Sequence, residues 1–82
     1  MSKARTFVLK LSDHAKKQRI ERKIPLEQIL KTVKNPNNRA KSFKNRRLLQ
    51  RDFGGKILEV VTTNEEDSTI VITEYYLEGE ES

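Results

Sequence analysis

The chain has no cysteine and no tryptophan, and histidine occurs once among its 82 residues. Without thiols there is no disulfide to staple a small domain and no thiolate set for a metal, and one imidazole does not make a zinc centre. Three glycines and two prolines leave no glycine-rich phosphate loop; Gly54-Gly55 reads as a hairpin turn. Apolar runs are short, such as Val60-Val61 and Ile70-Val71-Ile72, where a membrane-spanning helix needs about twenty such residues. Phe7-Val8-Leu9 near the start is too short for a signal peptide. A soluble and, by default, cytoplasmic protein is expected. The most informative absence is one of sign, because no lysine or arginine follows Lys56.

All seventeen cations lie between Lys3 and Lys56, against four acids (Asp13, Glu21, Glu27, Asp52), so this stretch carries +13. From Ile57 onward eight acids stand alone, and the net +5 conceals a strong charge asymmetry. Phosphate polymers are the usual partners of such a basic block, because each contact releases condensed counterions. A chain of this size makes one domain with one small core, burying somewhat over ~60% of its unfolded surface. Residues 1–77 are expected to form that domain and 78–82 a flexible acidic tail.

Phe7 to Leu11 alternates as a short strand. Ser12 is an N-cap with Asp13 in the first turn, so a helix runs from Asp13 to about Arg22. Its only apolar residues are Ala15 and Ile20, which give it no stripe to bury. It is therefore expected to lie on the sheet through polar contacts or to sit solvated on the surface. Ile24-Pro25 breaks it and starts a second helix, whose Leu26, Ile29, Leu30 and Val33 form one apolar face. Asn35 to Asn38 is a turn. Residues 41–53 read as one long strand, with Leu48-Leu49 suggesting a bulge, and 56–63 as its hairpin partner. Asn64 to Asp67 turns the chain again, and Thr69 to Tyr76 is a strand rich in β-branched and aromatic residues. The fold class is α+β, with two N-terminal helices packed on a mainly antiparallel four-stranded sheet.

His14 is the one side chain of the type that exchanges protons near neutrality. Gln18 and Arg22 follow it at i+4 and i+8, on the same side of the helix. The plainer reading makes His14 a solvated residue beside a cap. Lys16, Lys17 and Arg19 are cations of the same helix, solvated or turned to phosphate. A second cluster, Arg39, Lys41, Lys44, Arg46, Arg47 and Arg51, is interleaved with Phe43 and Phe53. Guanidinium forks fit phosphate oxygens and a ring beside them can stack a base, although charge also protects edge strands. Hydroxyls of Thr73, Tyr75 and Tyr76 end the last strand, where each serves either the core or a phosphate. Asp52 and Glu59 only faintly echo the acid pair of a metal-dependent nuclease. The remaining chemistry is metal-free cleavage of RNA, whose 2′-hydroxyl supplies the nucleophile; the protein needs a base, an acid and cations for the developing charge. His14, Arg22 and an arginine of the 46–51 stretch, Arg47, fill those roles.

Ser12-Asp13-His14-Ala15, the junction Glu21-Arg22-Lys23-Ile24-Pro25-Leu26-Glu27-Gln28-Ile29, Lys34-Asn35-Pro36-Asn37 and the closing Ile70-Val71-Ile72-Thr73-Glu74-Tyr75-Tyr76 together resemble a small prokaryotic domain-of-unknown-function family. That family is similar to the BrnT, RelE and barnase-like ribonuclease toxins. The resemblance spans about Phe7 to Tyr76 and implies two helices on a RelE/barnase-like four-stranded antiparallel sheet, with metal-independent RNA cleavage. It carries over His14, Arg22 and Thr73 as catalytic positions. Lys23 departs from the pattern, where many members have glycine.

These readings converge on a metal-independent endoribonuclease of toxin–antitoxin type, with catalytic His14, Arg22, Arg47 and Thr73. RNA would be gripped by Lys16, Lys17, Arg19, Lys41, Lys44, Arg46, Arg51 and Tyr75. No cofactor or metal is expected, and an acidic antitoxin protein is the expected partner of a monomer or weak dimer. A non-catalytic RNA- or DNA-binding module is the rival, and a charge-paired interaction domain the third reading.

Overall fold

The computed structural model describes residues 8–77. Phe7, the expected first residue of the first strand, and the tail 78–82 lie outside the described residues. In chain order the elements are β1 (Val8–Leu11), α1 (Asp13–Glu21), α2 (Leu26–Lys34), β2 (Asn38–Lys41), a 3-10 turn (Phe43–Asn45), β3 (Arg46–Phe53), β4 (Lys56–Glu65) and β5 (Ser68–Tyr76). The strands form one five-stranded sheet in the order β1-β5-β4-β3-β2.

This corrects the expected RelE/barnase-like four-stranded antiparallel sheet, while the α+β class stands. Strands β2 to β5 are an antiparallel meander, but β1 pairs parallel to β5, Leu11 opposite Val71, which makes the sheet mixed. The two helices carry the chain from β1 across to the far edge, so the first strand joins the last. The fifth strand arises because 41–53 is not continuous. Lys44 (φ 58°) and Asn45 (φ 63°) are both left-handed and reverse the chain. Asparagine accepts that conformation at little cost, whereas lysine does so with strain. The turn after α2 is correspondingly shorter, and Asn38 already pairs with Gln50. No bulge interrupts β3; its pairing with β4 is continuous from Arg46–Thr63 to Phe53–Lys56, and the irregularity falls instead between β4 and β5 at Val61/Thr62.

Helix α1 begins as its cap dictates. The Ser12 hydroxyl oxygen accepts from the Ala15 N–H (3.0 Å) and the hydroxyl donates to the Ile72 carbonyl (3.1 Å). The Ser12 N–H donates to the Val71 carbonyl at 2.9 Å, extending the parallel ladder into the helix start. At the other end Lys23 N–H donates to the Ile20 carbonyl and Ile24 N–H to the Arg19 carbonyl. This is a Schellman closure with Lys23 left-handed (φ 56°) and Ile24 buried behind it. Glycine would suit that backbone better than the lysine present, which holds it with strain.

Ala15, Ile24, Ile29, Leu58, Val60 and Val71 make the core, with Leu9, Leu11, Val33, Phe53 and Tyr76 packed against it. Helix α1 rests on β5 and β1, and α2 on β4 and β3, all on one face of the sheet. The apolar stripe of α2 is turned slightly from expectation. Leu26 is exposed, and Thr32 is buried in its stead, its hydroxyl donating to the Gln28 carbonyl at 2.8 Å. Among the described residues no helix is long and apolar enough to cross a membrane.

Candidate nucleic-acid interface

Helix α1 offers the core only Ala15; Ile20 points away, 67% exposed. Polar ties hold the helix to β5 instead. The Thr73 hydroxyl donates to Gln18 Oε1 at 2.9 Å, and an Arg22 guanidinium N–H donates to the Glu74 carbonyl at 3.1 Å. With Ser12 bonded to Ile72, three consecutive residues of β5 contact the N-cap, the middle and the C-cap of α1. The irregularity beside Val61/Thr62 occurs where β5 meets these ties. His14 lies one turn before Gln18 and is exposed. His14, Arg22 and Thr73 therefore share one seam, with the two ends of the α1 row about 12 Å apart along the helix axis.

Beneath this seam lies Glu74, which has no exposed surface. Neither of its carboxylate oxygens has a hydrogen-bond partner, and the nearby Arg19 Nε is likewise buried without one. Burial pushes the Glu74 carboxyl up from an ordinary 4.5 to about 7, with Arg22 and then Arg19 pulling it part of the way back. The seam thus holds a desolvated acid between two guanidinium-bearing residues, able to change charge near neutral pH. Sequence reasoning missed Glu74. Its signal was a single acid on a β-branched and aromatic strand, two residues before the core-packed Tyr76.

The second basic region is the β2–β3 hairpin. Lys41 pairs directly with Arg47, and Arg39 sits two residues from Lys41 on the same face. Arg39 and Arg47 border a cavity of about 210 Å³ whose floor includes buried Thr62, with Asn64 and Thr69 at its side. A neighbouring cavity of about 340 Å³ is lined by Lys41, Ser42, Asn45, Arg46, Arg47 and Asn64. Among the described residues no carboxylate lines either cavity. Phe43, in the turn, is 83% exposed.

Residues 11–76 match the family described as "Domain of unknown function (DUF4258)". The chain belongs to this family. No curated protein and no solved structure was found to match it. The matched span of the DUF4258 domain contains both the seam and the hairpin.

Within the DUF4258 domain the expected catalytic four divide. Arg22 and, through Gln18, Thr73 join α1 to β5, His14 stands exposed one turn before Gln18 on the same helix, and Arg47 lies two strands away, in a cavity none of them lines. The expected phosphate contacts divide as well. Lys16 and Lys17 are exposed on α1, Arg19 is half-buried, and Lys41, Lys44 and Arg46 are exposed around the hairpin. Arg51 is committed elsewhere: its guanidinium donates to the Asn35 carbonyl at the end of α2 (2.6 Å) and lies 5.7 Å from the Phe53 ring centroid. Tyr75 turns to the face without helices, where its hydroxyl and the Gln50 amide both donate to buried Glu59. Burial, then Glu59, pushes the Tyr75 hydroxyl up to about 12. Tyr76 donates to Gln28 Oε1 at 2.6 Å and serves the packing of α2. Asp52 caps the Gly54-Gly55 turn by accepting from the Gly55 N–H, so neither Asp52 nor Glu59 is a spare acid.

Proposed function

We propose that the DUF4258 domain is an RNA-directed, metal-independent endoribonuclease, with an activity akin to that of RelE- and barnase-like toxins. The observation that carries this reading is the polar seam. A helix held to β5 by hydrogen bonds rather than by a greasy stripe presents an exposed His14, with Arg22 on the same side and Thr73 fixing the Gln18 between them. A scissile phosphate over Gln18 would lie within reach of both ends. His14 takes the proton of the 2′-hydroxyl as it attacks phosphorus and a cyclic phosphate forms; the 5′-oxygen leaves with a proton from solvent or from the imidazolium. Arg22 faces the charge that develops on the non-bridging oxygens, and the Glu74 backbone carbonyl, accepting from it, limits how far its guanidinium can wander. Arg47 has no part in this step. A toxin of this kind would be restrained in the cell by a protein whose acidic segment covers the cationic surface.

One observation favours a non-catalytic RNA-binding module instead: the densest cation cluster, around Lys41 and Arg47, stands apart from His14. One experiment separates the two. End-labelled RNA is incubated with the protein in excess chelator, beside His14→Ala. Fragments ending in cyclic phosphate that vanish with the variant support the ribonuclease. Intact RNA that shifts on a native gel with both proteins reduces the domain to a binder.

A further inference from the structure

We propose that the β2–β3 hairpin is a grip for single-stranded nucleic acid, in which Arg39, Lys41 and Arg47 hold a phosphate and Phe43 stacks an unpaired base. The proposal takes its ligand class from the RNA reading above and does not depend on cleavage.

The hairpin is costly to the fold as it stands. Lys41 directly opposes Arg47, and like charges facing each other across a strand pair are destabilising. Arg39 adds a third cation on the same face, and among the described residues no acid lines the adjoining cavities to offset them. Edge protection explains a charge on β2; it does not explain cations on both members of a pair, one of them on the inner strand β3. An anion between them removes the repulsion. The 210 Å³ cavity beside Arg39 and Arg47 supplies the neutral part of such a site through the Asn64 amide N–H groups, the Asn64 oxygen being held by the Thr69 hydroxyl, which donates to it at 3.2 Å. Guanidinium forks beside an amide donor fit the oxygens of a phosphodiester.

The turn supplies the second element. Phe43 is two residues from Lys41, 83% exposed, and held where Lys44 and Asn45 are both left-handed. A hydrophobic ring on a strained turn gains nothing for the fold from that position, whereas an exposed ring next to a phosphate site gains a base. Stacking needs the base unpaired, so the grip selects single strands and is indifferent to sequence. Among the described residues the seam around His14 has no such exposed ring.

The test is binding of a 2′-O-methyl RNA 12-mer carrying 2-aminopurine, which has no nucleophilic hydroxyl and cannot be cleaved, against the same oligonucleotide in a duplex. Single strand is expected to bind at least tenfold more tightly than duplex, with quenching of the 2-aminopurine. Phe43→Ala is expected to weaken the single strand about 5- to 100-fold and to abolish the quenching. Arg39→Gln with Arg47→Gln should lower the slope of log K against log salt by about 0.7, the share of one phosphate. All three side chains are exposed, and circular dichroism checks that the fold persists. Equal affinity for duplex, a Phe43→Ala variant that binds and quenches as before, or no oligonucleotide binding at all overturns the proposal. Cleavage is followed separately on unmodified RNA. Loss of cleavage with a working grip sinks only the ribonuclease reading, and cleavage with an unaltered Phe43→Ala sinks only the grip.

Discussion

The α1–β5 seam and the β2–β3 hairpin both carry arginines, yet they handle charge in opposite ways. In the seam, Arg19 and Arg22 flank an acid that has lost its water, and Glu74 has neither solvent nor a hydrogen-bond donor for its oxygens. In the hairpin, Lys41 and Arg47 face each other in the open with no acid lining the adjoining cavities. Buried charge responds to pH because desolvation moves pKa values; exposed charge of one sign responds to salt because only counterions screen it. One small domain therefore holds a pH-sensitive region and a salt-sensitive one, two strands apart.

The largest effect should come from the seam. His14→Ala is expected to lower RNA cleavage by 10²- to 10⁴-fold, the usual worth of a proton-transfer group, with the fold unchanged because the side chain is exposed. Cleavage that survives the substitution would remove the seam from the chemistry.

The second test reads the buried acid. The Glu74 carboxyl titrates near its ordinary 4.5 in the unfolded chain and at about 7 in the folded one. Between those values the folded protein holds a proton that the unfolded chain has released. Its contribution to stability is therefore complete below about pH 4.5 and is lost as pH rises through about 7. Glu74→Gln should be free of this loss. Denaturant titrations at pH 4.5 and pH 8 should show the wild type losing about 1–3 kcal/mol more than the variant between the two. Parallel pH curves would mean that Glu74 is solvated or paired.

A smaller effect tests the helix end that positions Arg22. Lys23 occupies the left-handed position of the Schellman closure. Lys23→Gly should raise stability by about 0.5–1 kcal/mol, read as a higher denaturant midpoint at unchanged slope. A lower midpoint would show that the lysine side chain contributes something the backbone does not reveal.

Much of the seam was readable because its signals are local. Ser12 caps where a serine before an acid should cap, and the lack of an apolar stripe on α1 accounts for its polar attachment. The hairpin was less legible. Whether Arg47 sits beside Arg39 or beyond it depends on where 41–53 breaks, and that break rests on a left-handed lysine that sequence pattern disfavours. Parallel pairing of β1 with β5 joins residues about sixty positions apart, Leu11 with Val71, and no short-range pattern encodes it. Glu74 escaped notice for a related reason. Its burial depends on the irregularity between β4 and β5, and the visible candidate for a bulge was Leu48-Leu49 in another strand.

The smallest effect addresses the comparison most directly. Lys41→Glu converts the like-charge pair with Arg47 into an opposite-charge pair on the same two strands. If the hairpin cations are tolerated by the fold rather than required by it, stability should rise by about 0.2–1 kcal/mol. Oligonucleotide binding should weaken at the same time and become less dependent on salt. Stability and binding moving in opposite directions is the signature of charge kept for a ligand. If both fall together, Lys41 supports the edge of the sheet, and its charge serves the structure.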